Sequence, residues 1–113
     1  MIEEQILAAL ATLFGGRVFP DTAPQGTEFP FCTFQQIGGS PVTSLCGDAQ
    51  QQNARIQFNV WSLRRVEANQ MMRAAAAILT EPPLRGVSQG ALVAIYEEPM
   101  RTYGARQDFS FWF

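Results

Sequence analysis

Two stretches in which apolar and polar residues alternate constrain the fold more than any other feature: ARIQFNVW at 54–61 and ARQDFSFWF at 105–113. Successive side chains of an extended chain point to opposite faces, so each stretch places its apolar set on one face. The apolar sets are Ile56, Phe58 and Val60 in the first stretch and Phe109, Phe111 and Phe113 in the second. The alternation predicts two strands of a sheet that is buried on one face, with the closing aromatic residues held in it.

Trp61 and Trp112 fall on the other face of these strands, opposite the main apolar sets. Tryptophan is enriched at protein interfaces and at their energetic hot spots, which favours an interface role. The alternative is local cover, in which the two indole rings pack on each other or on arginine side chains. Both hypotheses remain open at the level of sequence.

Two segments have the apolar spacing of amphipathic helices. IEEQILAALATLF predicts a first helix that ends at Gly15-Gly16, and LRRVEANQMMRAAAAILTE predicts a second, with Ser62 as its N-cap and Pro82-Pro83 as its stop. The expected buried stripes are Ile2, Ile6, Leu10 and Leu13, widened by Leu7 and Phe14, in the first helix, and Val66, Met72, Ala75, Ile78 and Leu79 in the second.

Short runs rich in strand-forming residues complete the chain. RVF before Pro20 and FCTFQQIG from Phe31 to about Ile37 predict strands. GALVAIYEE is apolar on both faces, which indicates a strand deep in the sheet, and PMRTYGA is expected to turn the chain into the last strand. The order of elements predicts a single α+β domain over residues 1–113, with one mostly antiparallel or mixed sheet of four to five strands and both helices packed on one face.

Residues 38–53, GGSPVTSLCGDAQQQN, form a long polar connection rich in glycine, serine and glutamine. We expect residues 39–53 to be mobile in the free subunit. Asp48 has no base or metal partner nearby in the sequence and is interpreted as a turn residue; it is also the acidic interface candidate of this loop.

The composition argues against several classes of function. The chain has no histidine and a net charge of −2, which removes the commonest general base and metal ligand and disfavours a basic nucleic-acid or membrane surface. Glu97 and Glu98 are adjacent in a strand and face opposite sides, and Cys32 and Cys46 are interpreted as reduced thiols of a cytoplasmic protein. We predict a non-enzymatic protein with no cofactor, no metal, no membrane span and no recognition of nucleic-acid sequence.

Arg64 and Arg65 lie at the predicted start of the second helix, where the helix dipole favours a partner carboxylate. They form either a solvated helix start or part of a salt-bridging interface. The candidate interface residues are Trp61, Trp112, Arg64, Arg65 and Asp48.

The ordered set of motifs resembles the small prophage tail-completion proteins, a family similar to the tail-terminator proteins of long-tailed phages. The matching pieces are GGRVFPDTAPQGTEFPFCTFQQIGGSPV, ARIQFNVWS followed by EANQM, and the closing DFSFWF. They span nearly the whole chain, with Phe19 where tyrosine is common in the family. The family has no catalytic motif, so no catalytic residues carry over.

The resemblance implies a homo-oligomeric ring, with six subunits as one option, that caps the finished tail tube. Its partners would be further copies of itself, the tail tube protein and the head connector or head-completion protein. Such a protein is expected in the host cytoplasm during assembly and then in the virion tail. The alternative hypothesis is a small bacterial binding module that uses the open sheet face for a peptide or ligand.

Overall fold

The computed structural model describes residues 2–40, 51–98 and 100–113. Eight elements follow one another along this part of the chain. They are α1 (Ile2–Phe14), β1 (Val18–Pro20), β2 (Phe31–Gly38), β3 (Asn53–Ser62), α2 (Arg65–Leu79), β4 (Val87–Ser88), β5 (Val93–Glu97) and β6 (Thr102–Trp112). The Asp48 candidate and most of the loop predicted to be mobile lie outside the described residues.

The six strands form one mixed sheet with the order β1-β2-β3-β6, and both β4 and β5 pair with the outer edge of β6. Only the β1–β2 pair is parallel, and the other pairs are antiparallel. The predicted α+β fold with two helices on one face of a mixed sheet is confirmed, with one strand more than expected. The extra strand is β4, whose two residues carry no alternation signal of their own.

The two alternating stretches are the central pair of this sheet. β3 and β6 pair over ten consecutive positions, from Asn53 opposite Trp112 to Ser62 opposite Tyr103. On the helix side, the Phe58 ring meets Phe109 edge-on, with centroids 5.6 Å apart. Phe58 also contacts the rings of Phe34 at 5.8 Å and Phe111 at 6.1 Å. The closing aromatic residues are therefore buried because they complete the core that β3 begins.

The helices cover this aromatic layer with stripes that differ in detail from the predicted ones. In α1, Phe14 is fully buried, as the widened stripe predicts, whereas Leu13 is only half-buried. In α2, Val66 is 60% exposed, so its assignment to the stripe is wrong. A helix turns about 100° per residue, so Val66 lies about 200° from Ala68, which the structure buries. The buried stripe of α2 is Ala68, Met72, Ala75 and Leu79.

The N-cap prediction at Ser62 is wrong in position, because α2 begins at Arg65 and Arg64 occupies the cap position. Ser62 nevertheless contributes to the start of the helix. Its Oγ accepts a hydrogen bond from the Arg64 backbone N–H at 3.1 Å and donates one to the Glu67 carboxylate at 2.5 Å. The fully buried Ser62 hydroxyl therefore links the end of β3 to the first turn of α2.

The GALVAIYEE segment was expected deep in the sheet, and this prediction is wrong. β5 pairs only with β6, at the sheet edge, and Val93 is 55% exposed. The apolar residues of β5 therefore belong to an edge strand and not to a strand at the centre of the sheet. The expected turn PMRTYGA is also shorter than predicted, because β6 begins at Thr102.

Phe111→Ala tests the burial of the closing strand. Phe111 has no exposed surface, so its truncation leaves a cavity and should lower the free energy of unfolding by about 3–5 kcal/mol. Phe113 was predicted on the same buried face but is 38% exposed, and Phe113→Ala should cost about 1 kcal/mol or less. Chemical denaturation followed by circular dichroism measures both. Equal losses in the two variants would contradict the burial described here.

Candidate functional site: the open face of the sheet

The face of the sheet opposite the helices is lined mainly by polar side chains. The pairing register places alternate residues of β2, β3 and β6 side by side on this face. They are Thr33 and Gln35 of β2, Arg55, Gln57 and Asn59 of β3, and Arg106, Asp108 and Ser110 of β6. The two tryptophans lie at the ends of this polar surface.

The polar centre is organised by contacts between β3 and β6. Arg55 forms an ion pair with Asp108 at 3.0 Å, and the Arg106 guanidinium donates a hydrogen bond to the Asn59 side chain at 3.1 Å. The Arg55 side chain is 46% exposed, so solvent screens the pair and its contribution to stability is about 1 kcal/mol or less. The centre of the open face is hydrated rather than covered.

Trp61 lies at one end, half-buried over Gly104 of β6. A Cβ atom built on Gly104 would approach the indole ring to 2.7 Å, so only glycine leaves room for the ring in this position. The ring lines an open cleft of about 390 Å³. The other apolar side chains of the cleft are Ala23, Phe29, Phe31 and Met100.

Sequence analysis missed this cleft, since its walls come from three separated segments. The one local sign of the cleft in the sequence was Gly104, a glycine within a strand of larger residues. Its role becomes clear only from the strand register, which places Trp61 opposite it. The charged groups around the cleft are mixed in sign: Asp21, Glu97 and Arg106. The cleft therefore has an aromatic floor and carries one more carboxylate than guanidinium.

Trp112 lies at the other end of the open face and is 49% exposed. In the register it is opposite Asn53, eight residues from Trp61 along β3, which corresponds to roughly 26 Å at about 3.3 Å per residue. The two indole rings therefore do not pack on each other, which removes one form of the local-cover hypothesis. Trp112 instead borders the loop of Pro82 and Pro83.

The two arginines at the start of α2 have different surroundings. The Arg65 guanidinium donates hydrogen bonds to the backbone carbonyls of Gly104 and Ile95, and it lies over the Tyr103 ring at 5.2 Å. It thus ties α2 to the β5–β6 hairpin within the subunit. Arg64 is exposed, with no side-chain hydrogen bond or ion pair to the described residues.

The described residues contain no group of three histidine, cysteine or acidic side chains that could hold a metal ion. No helix in this part of the chain is long and apolar enough to cross a membrane. Burial raises the pKa of the Cys32 thiol to about 12. The thiol is therefore neutral at physiological pH, where a nucleophile would need to be a thiolate.

Residues 6–113 match the protein family described as tail completion protein gp17. The chain belongs to this family. The resemblance seen in the motifs is confirmed, and membership supports a role in phage tail assembly. Proteins of this family are structural components of tails, which are generally not enzymes. No curated protein sequence matches the chain.

Two solved structures share the fold of this family member. The gp17 protein of bacteriophage SPP1 superposes with a TM-score of 0.57 at 15% identity, covering 99% of this chain and 88% of that one. A chain of the native gene transfer agent virion superposes with a TM-score of 0.51 at 20% identity, covering 96% of this chain and 89% of that one. At these identities the likeness concerns the fold, and it extends over almost the whole chain.

Arg65→Ala should lower the free energy of unfolding by about 1–3 kcal/mol, because two carbonyls lose charge-assisted hydrogen bonds. Amide hydrogen exchange should also accelerate in Val93–Glu97, since α2 no longer holds this strand. Arg64→Ala is the matched control and should change stability by about 0.5 kcal/mol or less. Similar effects of the two substitutions would refute the structural role of Arg65.

Cys32 should resist thiol reagents in the folded protein at pH 8 and react once denaturant is added. A Cys46→Ser background makes the readout specific for Cys32. The folded pKa lies above the ordinary value of 9.0, so this thiol adds stability in full below pH 9. That contribution is lost as the pH rises from 9 towards 12. Rapid labelling of the folded protein would contradict the burial.

Proposed function

We propose that the chain is a tail terminator, a non-enzymatic protein that forms a ring on the end of the finished tail tube and contacts the head connector. It acts in the host cytoplasm during assembly and remains in the virion tail. Family membership over residues 6–113 supports this proposal, together with a fold shared along nearly the full length of the SPP1 gp17 protein.

The open sheet face is the structural observation that carries the proposal. Large apolar side chains are mostly buried in a small domain, yet Trp112 remains 49% exposed on a face that neither α1 nor α2 covers. Tryptophan is enriched at protein interfaces and at their energetic hot spots, where it supplies contact area while neighbouring polar groups supply orientation. The open face is therefore the proposed contact with tail or connector proteins.

A ring of identical subunits requires a heterologous contact, in which different surfaces of neighbouring copies meet and the rotation closes. Contacts of that kind leave the same face of every subunit pointing along the ring axis or into the ring. The open sheet face of each copy would thus be repeated around one circular surface. The family resemblance gives six subunits as one option for the number of copies.

Trp112→Ala should leave the monomer nearly intact but impair tail completion. The free energy of unfolding should fall by about 1 kcal/mol, because the indole is only partly covered. A complementation assay, in which the variant replaces the chromosomal copy and tail lengths are measured by electron microscopy, should show overlong or headless tails. Phe113→Ala is the matched control, since Phe113 is exposed on the helix side of the same strand. Normal tails in the Trp112 variant would exclude this end of the face as a contact.

A second hypothesis, a small binding module, is favoured by the cleft beside Trp61. A module of this kind would remain a monomer at all concentrations and would bind an aromatic or apolar segment in the cleft. Gly104→Val, which fills the space under the indole ring, should then abolish ligand binding while tail completion remains unaffected. Impaired tail completion in a variant that circular dichroism shows to be folded would instead indicate that the cleft belongs to the assembly surface.

A further inference from the structure

We infer that the cleft beside Trp61 binds an arginine side chain of the partner protein, with the guanidinium stacked on the indole ring and paired with the Glu97 carboxylate. This inference rests on the proposed function and names the chemistry that the open face recognises in a tail or connector protein. The cleft has a volume of about 390 Å³, and both Trp61 and Glu97 line it.

The strand register places the Glu97 side chain beside the indole ring. Trp61 is opposite Gly104, and a Cβ atom on Gly104 would meet the ring at 2.7 Å, so the ring lies over β6. On β5, Ile95 is opposite Gly104 and Glu97 follows two residues later. Opposite residues of an antiparallel pair share a face, and diagonal neighbours have Cβ atoms roughly 7–8 Å apart. The Glu97 carboxylate therefore lies at the edge of the aromatic ring, on the same face of the sheet.

The aromatic side chains of the cleft provide a flat surface on which a guanidinium can stack. Trp61 is half-buried, Phe31 is directly opposite it on β2, and the Phe31 ring lies 5.2 Å from that of Phe29. Among aromatic residues, tryptophan attracts cations most strongly. The planar guanidinium of arginine stacks on such rings and also forms bidentate hydrogen bonds with a carboxylate. An aromatic floor with a carboxylate at its edge therefore fits arginine better than a purely apolar side chain.

Glu97 has no cationic partner within the described part of the chain. The ion pair found there is Arg55–Asp108, at the centre of the open face. The neighbouring carboxylate differs in its surroundings, because Glu98 accepts a hydrogen bond from the Tyr96 hydroxyl at 3.1 Å and does not line the cleft. Glu97 is exposed, so its carboxylate is accessible to a cation that enters the cleft.

The basic group among the lining residues lies at the other end of the cleft. Arg106 is opposite Val93, four residues from Glu97 along β5, which corresponds to roughly 13 Å at about 3.3 Å per residue. Its guanidinium donates a hydrogen bond to the Asn59 side chain at 3.1 Å. Asp21 adds a second carboxylate to the lining. Positive charge is therefore confined to the Arg106 end, and the Glu97 end is complementary to an incoming cation.

A single stacked arginine is a weak ligand by itself, because one side chain buries little surface. In the proposed ring, every copy presents the same cleft, and a partner that also repeats its arginine engages several clefts at once. Linked contacts of this kind raise the overall affinity without any new interaction. The isolated contact is therefore expected to be weak, and it must be measured at high ligand concentration.

The two tryptophans of the chain allow a site-resolved test by NMR. In the full-length protein labelled with ¹⁵N, the indole N–H signal of Trp61 reports on the cleft, and that of Trp112 reports on the other end of the same face. Trp112→Phe assigns the two signals. The probe is the capped peptide acetyl-Gly-Arg-Gly-amide, and the same peptide with citrulline in place of arginine keeps the shape without the charge.

The arginine peptide should shift the Trp61 signal with a Kd in the millimolar range and leave the Trp112 signal unchanged. The citrulline peptide should bind at least about tenfold more weakly, because it cannot form a charge-assisted pair. An increase of NaCl from about 0.1 M to about 1 M shortens the Debye length from about 10 Å to about 3 Å and should weaken binding of the arginine peptide several-fold.

Glu97→Gln is the test variant, and Glu98→Gln is its matched control. The two substitutions remove the same charge from adjacent exposed residues, but only Glu97 lines the cleft. Glu97→Gln should weaken binding of the arginine peptide about five- to tenfold. Glu98→Gln should weaken it by less than about twofold, the effect of a screened surface charge. Circular dichroism confirms that both variants are folded.

Four results of the titration would overturn the inference. Equal binding of the citrulline peptide would mean that the cleft does not recognise charge. Equal effects of Glu97→Gln and Glu98→Gln would mean that the peptide is attracted by the general charge of the surface. Parallel shifts of both tryptophan signals would mean that binding is not specific to the cleft. Absence of a Trp61 shift at about 50 mM peptide would exclude the cleft as an arginine site.

The complementation assay separates this inference from the proposed function. Glu97→Gln should impair tail completion, and Glu98→Gln should not. Normal tails in a Glu97→Gln variant that no longer binds the peptide would remove the arginine from the tail contact and overturn the inference, while the proposed role would stand. Failure of the wild-type chain to complete tails would refute the proposed function, and the titration would still decide whether the cleft binds arginine.

Discussion

The contact between the Phe58 ring and the rings of Phe109 and Phe111 is the interaction on which the rest of the structure depends. It joins the centre of the chain to its last residues across the longest strand pair of the sheet. The helices pack on the layer that these rings form, and β2 extends the layer through Phe34. Phe58 and Phe109 are about fifty residues apart in the sequence. The hydrophobic core is therefore complete only when residues 102–112 have paired with β3.

That constraint explains which parts of the fold were predictable from sequence. Strict alternation in 54–61 and 105–113 specifies both the strands and their buried faces, since a shift by one residue would expose every phenylalanine. The helices follow from their apolar spacing. Val66 and the β5 segment were wrongly assigned to the core for the same reason. Their residues are apolar, as core residues usually are, but the structure places them at exposed positions. Composition alone cannot separate a buried apolar strand from an exposed edge strand of the same residues.

The candidate site was predictable only in part. The two tryptophans were identified from alternation alone, and the structure places both away from the helices. Their separation, the cleft at Gly104 and the internal bonds of Arg65 depend on register between strands that are distant in sequence, which no local pattern encodes. Arg64 and Arg65 are neighbours of the same type, yet one is exposed and the other bridges two backbone carbonyls. Such differences arise from the direction of each side chain on the helix rather than from residue chemistry.

The open face of the sheet separates polar from apolar surface. The centre of the open face is held by the hydrated Arg55–Asp108 pair and the Arg106–Asn59 hydrogen bond, so an isolated subunit exposes no continuous apolar sheet to water. Among the described residues, most exposed large apolar side chains lie at the start of α2, on β4 and β5, in the turn before β6 and at the end of β6. The polar groups of β3 and β6 thus satisfy one another at the centre of the face, while Trp112 remains exposed at its margin.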